Sequence, residues 1–266
     1  MRNWLAVPKK YIRIGRTFLK TCAVEELTYR AHFFSNILMS FFLLALAVLT
    51  VQLYFYRTPL VGGWSFSGVL VLLGVFQALQ GSIDFFLQPN MSKLVQHIRQ
   101  GTMDYVLTKP VDSMFYCSFR HLVLWRLVDV GSGFGLVGFG LWYGGIVPSL
   151  QQWVAFLFLF ATAVMILYSL WLGMMVFSFW AVKVDNLSYL FQSLFETARV
   201  PMSVYRGFVL VVVLPIACLT TFPSAVLVQQ LAWEQALGMV GLAIVLFGLA
   251  RWLWRFALRH YTSASS

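Results

Sequence analysis

Long apolar runs alternate with short charged segments along this chain. An α-helix rises about 1.5 Å per residue, so about 20 consecutive apolar residues cross a hydrocarbon layer of about 30 Å. The pattern predicts an all-α integral membrane fold, a single polytopic domain over residues 1–266 with six transmembrane helices. The spans fall at about 33–56, 64–87, 115–142, 153–182, 204–222 and 235–254. Ahead of the first, residues 8–30 follow a different rule. Lys9, Lys10, Arg13, Arg16 and Lys20 recur on one side, and Tyr11, Ile14, Gly15, Phe18, Leu19, Cys22 and Leu27 on the other. A basic stripe opposite an apolar one marks a helix lying in the membrane surface. The same stripe also fits a helix docked on a partner in water, but the run straight into a span favours the interface. Pro8 suits the first turn, where its missing N–H is not needed.

Two later segments interrupt the alternation. Over 185–199, Leu187, Leu190, Phe191, Leu194, Phe195 and Ala198 keep a helical period, and Asp185 or Asn186 can cap the start. This is predicted as a second amphipathic helix on the cytoplasmic side. The fifth apolar run contains Pro215 and stops at Thr220-Thr221-Phe222-Pro223. The piece after it, 224–231, is too short to cross alone. It is predicted as a re-entrant half-helix, which is tolerated only where protein or water covers it.

Composition removes the rivals of a membrane fold. The chain is 60% hydrophobic and 11% charged, with a mean hydropathy of +0.80, against about 45–50% and about 25% in soluble domains. The formal charge of +10 needs no nucleic acid to explain it. Basic residues collect on the cytoplasmic side of membrane proteins, beside anionic lipid. With both termini and the loops after the second and fourth spans inside, only Arg57 of the 19 Lys and Arg lies outside. Cys22, Cys117 and Cys218 are far apart and read as free thiols. His32, His97, His121 and His260 stand near predicted span ends, without metal-ligand spacing. The first thirty residues lack the apolar core of a cleavable signal.

Few polar residues interrupt the spans. Gln77, Gln80, Asp84 and Gln88 are three or four apart, so they share a helix face. Lipid penalises such a face, which should look into protein or a water-filled path. Asp129 is a further candidate for that path, and Arg126, three residues before it, can equally be its ion-pair partner. Gly131/Gly135 and Gly140/Gly144 have the small-xxx-small spacing that lets helix backbones approach in lipid. The GxxxxGK[ST] phosphate cradle is absent, and no nucleophile–base spacing stands out.

The most structured polar stretch is Ile98-Arg99-Gln100-Gly101-Thr102-Met103-Asp104-Tyr105-Val106-Leu107-Thr108-Lys109-Pro110-Val111, within a predicted loop at 89–114. Gly101 can end a helix begun before Arg99, and Pro110 cannot continue one begun near Asp104. Between them Tyr105, Val106 and Leu107 offer apolar knobs, while Arg99, Asp104 and Lys109 offer charge. A knob for a groove on another protein and an ordinary solvated loop fit this spacing equally.

The stretch resembles the "R-x-G-T-hydrophobic-D-x-x-L-x-K-P" signature of ABC transporter permeases of the type-2 exporter class, in their six-span branch. Length, the N-terminal helix, six spans and the broken segment after the fifth are similar too. The tail Arg259-His260-Tyr261-Thr262-Ser263-Ala264-Ser265-Ser266 resembles those of cyanobacterial and related bacterial members. The resemblance implies a permease subunit in the bacterial cytoplasmic (inner) membrane, with both termini cytoplasmic and no catalysis of its own. Two such chains, alike or different, form the pathway. Separate ABC ATPase subunits bind ATP and Mg, so this chain needs no cofactor. Arg99, Gly101, Thr102, Asp104, Leu107, Lys109 and Pro110 become the implied coupling residues, alongside the N-terminal helix. The branch implies export of an amphiphilic or lipophilic organic compound, and Asp84 on its glutamine face could attract a cation. The alternative is an integral-membrane enzyme or an assembly factor acting on lipid-linked substrates.

Overall fold

A computed structural model describes residues 6–28, 30–180, 185–205, 208–228 and 231–261, and the described residues are helical nearly throughout. Helix α1 (Ala6–Thr28) precedes α2 (Arg30–Arg57). Helix α3 (Phe66–Ser82) continues through a π-turn (Ile83–Leu87) into α4 (Gln88–Arg99). Short helices α5 (Met103–Leu107) and α6 (Ser113–Phe119) lead to α7 (Leu127–Tyr143) and α8 (Leu150–Val176). Then come α9 (Asp185–Glu196), α10 (Phe208–Leu227) and α11 (Trp233–Arg259). Among the described residues, five helices are long and apolar enough to cross a membrane: Ala31–Arg57, Phe66–Arg99, Leu124–Tyr143, Leu150–Phe179 and Trp233–Arg259. The expected fifth span is represented by a shorter apolar piece, Ile216–Leu227.

Helix starts follow local chemistry. Ser149 accepts the Gln152 N–H while the Gln152 side chain accepts the Ser149 N–H, a reciprocal cap on α8. Ser65 caps α3 through the Gly68 N–H at 3.3 Å.

Helices α3 and α7 meet backbone to backbone. A Cβ on Gly74 would stand 2.7 Å from the Gly133 carbonyl oxygen, and one on Gly81 would stand 2.8 Å from the Val130 nitrogen. Gly140 and Gly144 also face this seam, against Val71 and Ser67. Of the two glycine pairs expected from spacing, Gly140/Gly144 is in contact, whereas Gly131 and Gly135 face open space. The seam repeats at seven residues, Gly74 to Gly81 and Gly133 to Gly140, which is the period of two nearly parallel helix axes.

The helix that carries the second span continues past residue 87. Phe66–Arg99 is one helical rod of 34 residues, about 50 Å long against about 30 Å of hydrocarbon. Pro89 explains both its continuity and its π-turn. A proline ring collides with the carbonyl four residues back and leaves it without an N–H. Here the chain widens into a π-turn, and the orphaned Phe85 carbonyl accepts the Val123 N–H at 2.9 Å.

That bond belongs to a break in the expected 115–142 span, where residues 120–123 leave helical geometry between α6 and a 3-10 turn at Leu124–Arg126. Asn90 of α4 holds the break from one side. Its side-chain oxygen accepts the His121 N–H at 2.9 Å, and its amide donates to the His121 and Phe86 carbonyls at 2.6 Å each.

The 185–199 segment is helical over Asp185–Glu196, as expected, and then tightens into a 3-10 turn. Phe191 packs on Trp171 and Phe195 stacks on Phe76, and both phenylalanines are buried with Ala198. Farther on, Ser203 donates to the Gly62 carbonyl, at the end of α3 opposite α4. Residues 191–203 therefore run alongside α3 among the spans. Their apolar face packs on other helices, and Arg199 stays near its pair partner Glu196 at 2.7 Å. Nor do residues 224–227 form a separate half-helix, since α10 runs past Pro223 to Leu227. The Ser224 hydroxyl donates to the Thr220 carbonyl at 2.7 Å, and the Thr220 hydroxyl donates to the Ala198 carbonyl at 2.7 Å, which ties α10 to the stretch after α9.

Candidate functional site

The chain between Arg99 and Asp112 forms a hairpin at the end of the α3–α4 rod. Gln100 caps α4, and Gly101 follows with φ +66°, a conformation L side chains rarely adopt. Thr102 bonds His97 Nδ1 through its hydroxyl at 2.8 Å, so the turn is tied to the last turn of α4. Helix α5 then anchors inward through Met103 and Val106, which are fully buried, and presents Tyr105 (73% exposed) and Leu107 (41%) outward. Val106, expected as an exposed knob, is thus an anchor, because a helix of five residues can turn only one face outward. Asp104 is half-buried, and Arg99, Lys109 and Pro110 are exposed. Lys109 lies over the Tyr116 ring at 4.1 Å and donates to its hydroxyl at 2.6 Å.

Helix α1 clasps the same hairpin. Lys10 donates to the Pro110 carbonyl at 2.5 Å, and the Asp112 N–H donates to the Tyr11 hydroxyl at 3.3 Å. Tyr11 and Phe18 meet Phe115 and Tyr116 edge to face. Lower on α1, Glu26 accepts the Leu124 and Trp125 N–H groups at 2.6 and 3.2 Å, satisfying donors at the start of the third long helix. Burial raises the Glu26 pKa, and those two bonds hold it partly down. Nearby, burial and the charges of Arg120 and Lys93 lower the His121 pKa, and burial pushes the Cys117 thiol up to about 12. Glu26 and Asn90 were absent from the sequence-derived candidates. Glu26 was readable in principle, since Tyr11, Gly15, Phe18, Cys22 and Glu26 step by three or four along one face. Asn90 carried no such signal.

A second polar centre lies deeper, where α2, α3 and α7 meet. Arg126 bridges Asp84 at 3.1 Å and Asp129 at 3.0 Å. Gln80 donates to Asp84 at 3.0 Å, Gln77 donates to Asp129 at 3.3 Å, and Ser40 of α2 donates to Asp129 as well. Both carboxylates are buried, and together with Arg126 they carry a formal charge of minus one. The expected face is therefore assembled as far as Asp84 and is extended by Asp129. Gln88 follows the π-turn and is half-buried. Among the described residues no group of three or more His, Cys, Asp or Glu could hold a metal ion. The hairpin and the charge centre are thus linked by one rod, one break and one clasping helix.

Over residues 36–265 the sequence matches the family model described as ABC-2 family transporter protein. No curated protein and no solved structure matches the chain.

Proposed function

Because the chain belongs to the ABC-2 family of transporter proteins, we propose that it is the membrane-spanning permease of an ATP-driven exporter, coupled through residues 99–112 to a separate ATPase. The hairpin carries this reading. Tyr105 and Leu107 stand outward on a helix whose other face is locked inward, and its rod is about 20 Å longer than the hydrocarbon layer. A soluble partner can reach such a knob. Arg99, Asp104, Lys109 and Pro110 give it mixed charge and a fixed exit, while Gly101 and Thr102 set its angle to α4.

Force applied to α5 has a short route inward. It passes along α4 to the π-turn, where Asn90 and the Phe85 carbonyl grip residues 121–123, and on to Arg126. ATP and Mg belong to the partner subunits, and this chain supplies the lever. If ATP-bound and free states of the ATPase hold the hairpin differently, they bias the helices attached to it. Two permease chains, alike or different, enclose the pathway in the inner membrane, with the hairpin and both termini on the cytoplasmic side. Gln77, Gln80, Asp84 and Asp129 form its polar wall, with Gln88 below them. A net negative charge there suits an amphiphilic or lipophilic cation.

The test is recovery of partners by mass spectrometry from the detergent-solubilised chain. An ATPase subunit is expected with the unaltered protein. In a Tyr105→Asp, Leu107→Asp double variant its recovery should fall at least about tenfold, the equivalent of about 1.4 kcal/mol. Both side chains point outward, so thermal unfolding should not change. Full retention of the ATPase by the folded variant would remove the hairpin from the contact. A folded wild-type chain without any nucleotide-binding partner would sink the permease reading.

A further inference from the structure

A cavity of about 390 Å³ lies between α6, α8 and α11; it takes Asp112 from the exit of the hairpin and none of the residues of the Arg126 centre. That volume is within the range of small-ligand sites, about 300–1,000 Å³. Its walls are apolar and aromatic, with Phe86, Phe119, Val164 and Phe247 among them. Two charged side chains also line it, Arg251 of α11 and Asp112 before α6. They are not paired with each other. Among the described residues Arg251 meets no carboxylate within 4 Å, and its one hydrogen bond runs to the Met114 sulphur, at 3.9 Å. One Asp112 oxygen accepts the Phe115 N–H at 3.0 Å and caps α6.

Arg255 and Arg259 follow Arg251 at helical steps and are exposed, as expected for side chains reaching toward the membrane–water boundary. Arg251 is turned inward, one to two turns deeper. A guanidinium there that makes no ion pair among the described residues calls for an anion. A carboxylate lining the same cavity calls for a cation. An apolar pocket with both at hand is complementary to a zwitterion on a hydrocarbon chain.

We propose that this cavity holds one aminophospholipid, its phosphate at Arg251, its primary ammonium at Asp112 and part of an acyl chain among the aromatic side chains. Phosphate and guanidinium match as a charge-assisted, forked pair. The ammonium can donate hydrogen bonds to Asp112, which a trimethylated headgroup cannot. A glycerol headgroup satisfies Arg251 and leaves Asp112 without a cation.

Native mass spectrometry of the full chain tests this, using an equimolar mixture of dioleoyl phosphatidylethanolamine, phosphatidylglycerol and phosphatidylcholine. The unaltered protein should retain the ethanolamine lipid about tenfold over the other two, the effect of one charge-assisted hydrogen bond. Arg251→Gln should lower retention of all three lipids about tenfold. Asp112→Asn keeps the cap on α6 and should abolish the ethanolamine preference without lowering retention of the glycerol lipid. Val164→Trp leaves both charges in place, fills the apolar part and should expel the lipid. Equal retention of the three headgroups by the unaltered chain would overturn the proposal whatever the variants do. So would undiminished binding by folded Arg251→Gln.

Discussion

Replacing Gly133 by alanine tests the α3–α7 seam directly. The added Cβ would lie 2.5 Å from the Ala78 nitrogen and 2.6 Å from the Gly74 carbonyl oxygen. Both neighbours are backbone atoms and cannot rotate away. Ordinary contact begins at 3.4 Å, so the helices must part by roughly 0.9 Å, the difference between 3.4 and 2.5 Å. Overpacking of this kind costs about 1–3 kcal/mol. A gap of that size also forfeits a quarter to a half of each dispersion contact along the seam. We expect a loss of about 3 kcal/mol, at the upper end of that range. At about 2–4 °C per kcal/mol, the midpoint of thermal unfolding in detergent should fall by roughly 6–12 °C. Gly135→Ala is the matched control, two residues away on the same helix and facing open space. It should be neutral or gain up to about 1 kcal/mol of helix propensity. Intrinsic tryptophan fluorescence during heating reads both variants. Equal behaviour of the two would refute the seam as described.

Arg126→Gln should strand two buried carboxylates. With the guanidinium partly solvated, the expected cost is about 3 kcal/mol, at the low end for a broken buried pair, and Asp84→Asn added to it should restore part of the loss. A denaturation midpoint in mixed micelles that Arg126→Gln leaves unmoved would mean that the centre is not held by charge. His121 supplies a pH test. Its native pKa lies below the ordinary value because of burial and then the charges of Arg120 and Lys93. Its contribution to stability is therefore complete above the unfolded value of about 6.5 and is lost as the pH falls below it. His121→Leu should flatten the thermal-midpoint profile on that acid side, and a profile as steep as wild type would rule His121 out.

Periodicity made the long helices readable, since length and apolarity suffice to place a crossing. It also made α1 readable, because Phe18 and Cys22 on one side and the exposed Arg13, Arg16 and Lys20 on the other follow a single repeat. Gly101 announced the end of α4 by its chemistry. What stayed hidden depends on partners distant in sequence. Residues 115–130 contain no glycine or proline, so nothing local announces the break at 120–123. Asn90, Cys22 and Glu26 impose it from two other helices. The amphipathic face of α9 was visible, but amphipathicity does not say whether lipid or protein covers it. Glycine spacing likewise offered two equivalent pairs, and only the position of α3 selects between them. At the deeper centre, Arg126 and Asp129 were readable as an i,i+3 pair, whereas Ser40 entered only through the packing of α2.

The π-turn between Asp84 and Gln88 sets a phase as well as a bend. In lineage terms a π-turn is one extra residue carried inside a helix. Loss of that residue would restore an ordinary α-helix and leave hydropathy almost untouched. Yet each residue of an α-helix turns the surface by about 100°. Everything beyond the turn would swing with it, taking Asn90 away from His121 and pointing Tyr105 in another direction relative to the Arg126 centre. A one-residue deletion here would give a chain that inserts and folds locally but has its lever mounted at the wrong angle. Length between residues 84 and 88 should therefore be more tightly held among natural variants than the identity of the apolar residues filling it.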